Sequence, residues 1–228
     1  MRALRGLLVL VLAVLAAACS SGVSTPASSV VSPTFPPPWT PATAAAPATP
    51  PPAPMQTFTG TGPDVVDLQQ PVGFGIIVFS CPKCTGNTIV KTDARIDNLI
   101  VNRIGPYGGQ HWIGARGDET SRVQVTAKGD WKLIVGDLSL ARRAAPGQAV
   151  SGTGDEVVLY STGPDTVHLT HNGTSNFAVW VMTDSLVAPD LPVNEIGRFD
   201  GTVMFPVRGS EAALVQITAD GGWTMTPR

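Results

Sequence analysis

Beyond residue 64 the apolar residues fall in short, β-branched runs separated by turns. Val123 and Val125 alternate with polar neighbours, as do Val215 and Ile217, a period of two that turns one strand face to a core and the other to water. With the runs of β-branched residues, this pattern predicts strands over 75–80, 88–91, 121–126 and 132–135, and again over 166–170, 176–182, 212–218 and 223–225. Gly, Asn, Asp and Pro punctuate the runs. Asn172-Gly173, between His168-Leu169-Thr170 and Phe177-Ala178-Val179, predicts a two-residue hairpin turn. Beyond the first 18 residues, no window of ten keeps a helical period. The chain reads as all-β.

The pattern also repeats. Leu99-Ile100-Val101-Asn102-Arg103-Ile104-Gly105-Pro106-Tyr107-Gly108-Gly109 returns 92 positions on as Leu191-Pro192-Val193-Asn194-Glu195-Ile196-Gly197-Arg198-Phe199-Asp200-Gly201. Gly60-Thr61-Gly62 returns as Gly152-Thr153-Gly154, and the block ending in Trp131 returns ending in Trp223, at the same offset. Three blocks in one order at one spacing mark a duplicated domain. The break falls at Ala144-Ala145-Pro146-Gly147-Gln148, so domains are expected over 58–145 and 149–228. Seven or eight short strands in each predict two tandem antiparallel β-sandwich domains. Cores of that size are limited, so Trp131 and Trp223 are expected inside. In the longest block, Val101/Val193 and Ile104/Ile196 stand three apart, which suggests a bulge or corner. Asn102 and Asn194 would bond local backbone there, and Gly105/Gly197 and Gly109/Gly201 would permit positive φ.

Composition divides the chain of 228 residues sharply. The first 63 residues carry only Arg2 and Arg5 as charges. Of the 15 Lys and Arg, removing those two leaves 13 against 17 Asp and Glu, a formal charge near −4. That argues against a nucleic-acid partner, which would need a basic stripe. Residues 1–18 have a basic start and an apolar run too short to span a bilayer comfortably, the layout of a secretory signal. Cys19 follows Leu15-Ala16-Ala17-Ala18 and resembles the lipidated cysteine of a bacterial lipobox, with Leu15 one position further out than usual. A diacylated Cys19 would anchor the chain to the extracytoplasmic face of the cell membrane. The competing reading is a secreted protein cut near Ala18 with a free Cys19. Residues 20–57 hold 11 prolines and no charge, a composition that favours an extended stalk (19–57 with the lipidated residue), with a reach of roughly 120 Å.

Candidate chemistry changes this picture little. Cys81-Pro82-Lys83-Cys84 stands where the second copy has His171-Asn172-Gly173-Thr174. A redox pair would want a helix N-terminus, and a zinc site a second pair of ligands; outside the cytosol the plain reading is a Cys81–Cys84 disulfide. The three histidines, His111, His168 and His171, lie in no recognisable nucleophile motif, so no catalytic residue, metal centre or cofactor is expected. Asp155-Glu156, and Asp64 with Asp67, could supply oxygens to a structural calcium, but acids beside glycines are more simply solvated turns. Tyr107, Trp112, Trp180, Phe199 and Tyr160 could form a carbohydrate-stacking face. Core packing is the plainer reading for Trp180, whereas Tyr107 and Trp112 follow glycine-rich turns and are expected at the surface. Tyr107, Trp112, His171 and Phe199 are the candidate ligand-binding residues.

The blocks Ser/Thr-Gly-Thr-Gly-x-x-Val-Val, Thr-His-Asn-Gly-x-Ser-Asn-Phe-x-Val, Leu-x-Val-Asn-x-Ile-Gly and Thr-Ala-Asp-Gly-x-Trp-Thr resemble repeated extracytoplasmic modules of actinobacterial surface lipoproteins. The resemblance covers most of 58–228 and implies secreted or lipid-anchored β-sandwich domains without an assigned reaction. The Cys81–Cys84 segment departs from the pattern. The expectation is a lipid-anchored surface protein whose modules bind envelope glycan or protein. An envelope hydrolase or accessory domain and a structural spacer are the alternatives.

Overall fold

The computed structural model describes residues 54–228 apart from Asp97, and these fall in one compact unit. The leader, Cys19 and the stalk as far as residue 53 lie outside the described residues. No described helix is long and apolar enough to cross a membrane. The first repeat contains β1 (Gln56–Thr61), β2 (Asp64–Val72), β3 (Gly75–Cys81), β4 (Asn87–Thr92), β5 (Leu99–Ile104), β6 (Tyr107–Ile113), β7 (Thr120–Thr126) and β8 (Asp130–Gly136). A 3₁₀ turn at Leu138–Leu140 and the short β9 (Arg142–Ala144) lead on. The second repeat contains β10 (Val150–Thr153), β11 (Glu156–Tyr160), β12 (Thr166–His171), β13 (Asn176–Thr183), β14 (Asp190–Ile196), β15 (Phe199–Met204), β16 (Ala213–Thr218) and β17 (Gly222–Pro227).

Each repeat is a sandwich of two antiparallel sheets. The orders are β1-β8-β3-β6 over β2-β7-β4-β5, and β10-β17-β12-β15 over β14-β13-β16-β11, with β9 added in parallel beside β11. Apart from the neighbours β4–β5 and β13–β14, successive strands cross between sheets in the winding of a jelly roll. Inward positions fill two cores. Phe79, Leu133, Val123 and Val125 are buried in the first, and Phe177, Leu169, Ile217 and Met225 in the second.

That winding overturns the expected hairpin at Asn172-Gly173. β12 and β13 belong to different sheets, so residues 172–175 form an arch rather than a hairpin turn. A type I′ turn needs positive φ at both central residues, and Gly173 is not among the positive-φ glycines. The arch is bent by other bonds: the Asn172 amide oxygen accepts from Gly222 N (2.8 Å), and the Asp220 carboxylate accepts from Thr174 N (3.0 Å) and Ser175 N (2.9 Å). In the first repeat the Cys81–Cys84 disulfide closes the corresponding turn.

The repeated blocks now have physical reasons. Gly62 and Gly154 both adopt a φ of 76°, and their carbonyls accept the indole N–H of Trp131 (2.8 Å) and Trp223 (2.9 Å). Both indoles are buried. A Cβ at Gly60 or Gly152 would collide with the same rings. The longest block is edge strand plus turn: Val101 and Val193 are in the cores, and Gly105 and Gly197 have φ of 86° and 90°. Three expectations for it fail. The bulges lie before Val101 and before Val193, not after them, so Ile104 and Ile196 simply point out of the sheet, 84% and 79% exposed. Gly109 and Gly201 lie within strands and make room for the Tyr107 and Phe199 rings, rather than for an unusual φ. Asn102 and Asn194 are exposed and make no side-chain hydrogen bond among the described residues.

The two sandwiches pack against each other through opposite faces. Ile76 and Val78 of β3 and Trp112 of β6 point out of the first repeat's β1-β8-β3-β6 sheet. They meet Val157, Leu159, Leu214 and Met182, which point out of the second repeat's other sheet, with Leu138 and Leu140 wedged alongside.

Candidate functional site

Where the repeats meet, the β10–β11 turn pushes Asp155 into the open side of the first sandwich. Its side chain is only 3% exposed, yet it faces donors on every side. Oδ2 accepts from the Tyr107 hydroxyl (2.9 Å) and lies 3.1 Å from His111 Nε2. Oδ1 accepts from Ala219 N (2.8 Å) and approaches Arg103 Nη2 (3.4 Å), which also donates to the Ala219 carbonyl (2.9 Å).

Gln216 fixes the protonation pattern of this cluster. Its Oε1 accepts from the backbone N–H of Trp112 (2.8 Å), so its NH₂ must point at His111 Nδ1 (3.1 Å). Nδ1 is then an acceptor, and the ring hydrogen sits on Nε2, aimed at Tyr107 and Asp155. Burial raises the Asp155 pKa, but the hydrogen bonds from His111 and the Ala219 amide, together with the Arg103 charge, outweigh it and hold the carboxyl below its usual range. Burial, followed by the adjacent Asp155 charge, pushes the Tyr107 phenol well above its usual range. The members of this cluster bond one another. It ties two domains together.

Above it opens a cleft of ≈ 570 Å³ between the repeats. One wall is the edge strand β5; residues 99–103 line it consecutively, so the strand's edge as well as its side chains faces the space. The other wall comes from β13 and β16. Trp112 and Trp180, both half-buried, face the cleft from opposite repeats, and Asn98, Asn102, Asn176 and Arg116 ring it. The Trp112 backbone is held by Gln216, and Trp180 stands in the middle of β13, so both indoles sit on rigid elements.

The four candidate ligand-binding residues do not come together. Trp112 lines the cleft. Tyr107, expected at the surface, is buried, because its ring packs near Phe79 and its hydroxyl is taken by Asp155. His171 is also buried: its ring stacks on Phe177 at 4.5 Å, Nδ1 donates to the Gly197 carbonyl (2.7 Å), and Nε2 lies 3.3 Å from Asp220. Phe199 is half-buried against Phe177 and lines a separate depression of ≈ 530 Å³ on the second repeat. His168 lies on the opposite strand face from His171 and pairs with exposed Asp200 at 2.9 Å, so the two do not converge. The acids considered for calcium are otherwise engaged: Asp155 by donors, and Asp67 by Arg122 at 2.7 Å.

Trp180 is the residue that the core reading misplaced. Phe177, Val179 and Val181 face inward, so strict alternation sends Trp180 out. The signal was present but masked, because Ala178 and Trp180 are themselves apolar. Asp155 gave less warning; its counterpart in the first repeat is Pro63, and nothing local announces an inter-domain bond. No protein-family model matches the chain, and no curated protein matches its sequence.

Proposed function

We propose that this is a lipid-anchored, extracytoplasmic binding protein whose inter-repeat cleft holds a component of the cell envelope. In this reading Cys19 carries the lipid, and the Pro-rich residues between it and β1, which begins at Gln56 rather than after Thr57, link it to the paired sandwiches that hold the cleft. The observation that carries the reading is the cleft itself: two half-buried tryptophans on rigid strands, beside the side-chain amides of Asn98, Asn102 and Asn176, which make no hydrogen bond among the described residues. A concave site with aromatic walls and a few convergent polar groups is the usual form of a small-ligand site. The leader and the lipobox-like Cys19 support the address.

Immobilised protein should retain purified envelope material; Trp112→Ala with Trp180→Ala should abolish retention, and Trp180→Ala alone should weaken it strongly without lowering thermal stability appreciably, since Trp112 also packs in the junction between the repeats. Equal retention by the double variant would refute the cleft. Palmitate labelling should disappear in Cys19→Ala, and label that persists would refute the anchor.

A further inference from the structure

We infer that the cleft takes a saccharide chain, bound across both repeats with its rings against Trp112 and Trp180. This rests on the cleft reading above and adds the class of ligand. An indole presents a flat apolar face, which suits the C–H face of a pyranose ring, while the ring's hydroxyls project sideways. Those hydroxyls each donate and accept, and the groups around the tryptophans match them. Asn98, Asn102 and Asn176 are exposed primary amides, each with two donor hydrogens and an acceptor oxygen, and none has a side-chain hydrogen bond among the described residues.

The alternatives fit less well. An acyl chain would want an apolar lining, and the cleft is rimmed by amides and by Arg103 and Arg116. An extended peptide could add to the β5 edge, but the register slips between Leu99 and Val101, where a bulge breaks the ladder that strand addition needs. Arg103, already bonded to Ala219 and approaching Asp155, crosses between the repeats at the same edge. The repeated block also gains a meaning here. Asn102 recurs as Asn194 in the second copy although neither supports the fold; Asn102 lines the inter-repeat cleft, whereas Asn194 stands exposed on the edge strand β14.

The test is tryptophan fluorescence of the full chain titrated with cellotetraose, chitotetraose, mannotetraose and oligosaccharides released from purified cell wall, beside a library of extended nonapeptides. At least one saccharide should shift the emission saturably at millimolar concentration or below. Trp180→Ala should weaken that binding about tenfold or more, and Asn102→Ala and Asn176→Ala by smaller factors, with thermal transitions unchanged. Saccharide silence together with peptide binding lost in Trp180→Ala would overturn the ligand class and keep the cleft. Saccharide binding indifferent to Trp112→Ala and Trp180→Ala would overturn the cleft itself. Silence from every saccharide and every peptide would overturn the inference as stated.

Discussion

The two repeats share a fold and nearly every buried position, yet they invert the character of their outer faces. The cross-strand pair Asp67–Arg122 of the first repeat is an exposed ion pair; the matching pair of the second, Leu159–Leu214, is apolar and packed. On the other sheet the inversion runs the opposite way. Ile76 and Val78 of the first repeat are covered, and the matching Thr166 and His168 of the second are polar. Head-to-tail packing of identical faces would continue without end, whereas polar outer faces stop it after one contact. The difference between the copies therefore makes a single junction, with one Asp155 and one cleft.

The sharpest way to break that comparison is at Asp155. Asp155→Ala leaves Tyr107, His111 and the Ala219 amide without their acceptor and should cost about 3–5 kcal/mol by chemical denaturation. Pro63→Ala, at the matching site, should cost less than about 1 kcal/mol. The sign with pH follows from the depressed carboxyl. Its contribution is complete above the unfolded aspartate value of about 3.9 and is lost as pH falls through the lower folded value. Wild-type and Asp155→Asn stabilities should therefore converge in strong acid, and a constant gap would contradict this.

Exchanging faces comes next. Leu159→Asp with Leu214→Arg, which imports the first repeat's ion pair, should cost about 2–4 kcal/mol. The reverse exchange, Asp67→Leu with Arg122→Leu, should alter stability by less than about 1 kcal/mol. It would expose an apolar face, and sedimentation should then report concentration-dependent association. At the arches, Cys81→Ser with Cys84→Ser should cost about 2 kcal/mol, since the closed loop is short. Asp220→Ala, which frees the second arch, should cost about 1 kcal/mol. Smallest of all, Asn102→Ala and Asn194→Ala should each change stability by less than about 0.5 kcal/mol. A larger loss at either would restore the structural role that the sequence suggested.

Strands, duplication and anchor tryptophans were legible because period-two alternation and a fixed offset report on burial within one domain. What was not legible lies between domains. Trp180 and Leu159 sit in apolar runs whose outward positions look like core until a second surface covers or rims them. Asp155 follows a glycine and reads as a solvated turn, and only the other repeat's Tyr107 and His111 make it a buried tie. The Asn172-Gly173 signal was sound locally and failed because the winding sends its flanking strands to different sheets.

The claim beneath all of this is that two differentiated repeats behave as one body, because the cleft exists only while they are joined. Scanning calorimetry of the protein at neutral pH tests it directly. One transition whose calorimetric and van't Hoff enthalpies agree is the predicted result, with Asp155→Ala splitting it in two. Two separate transitions in the wild type would contradict the account.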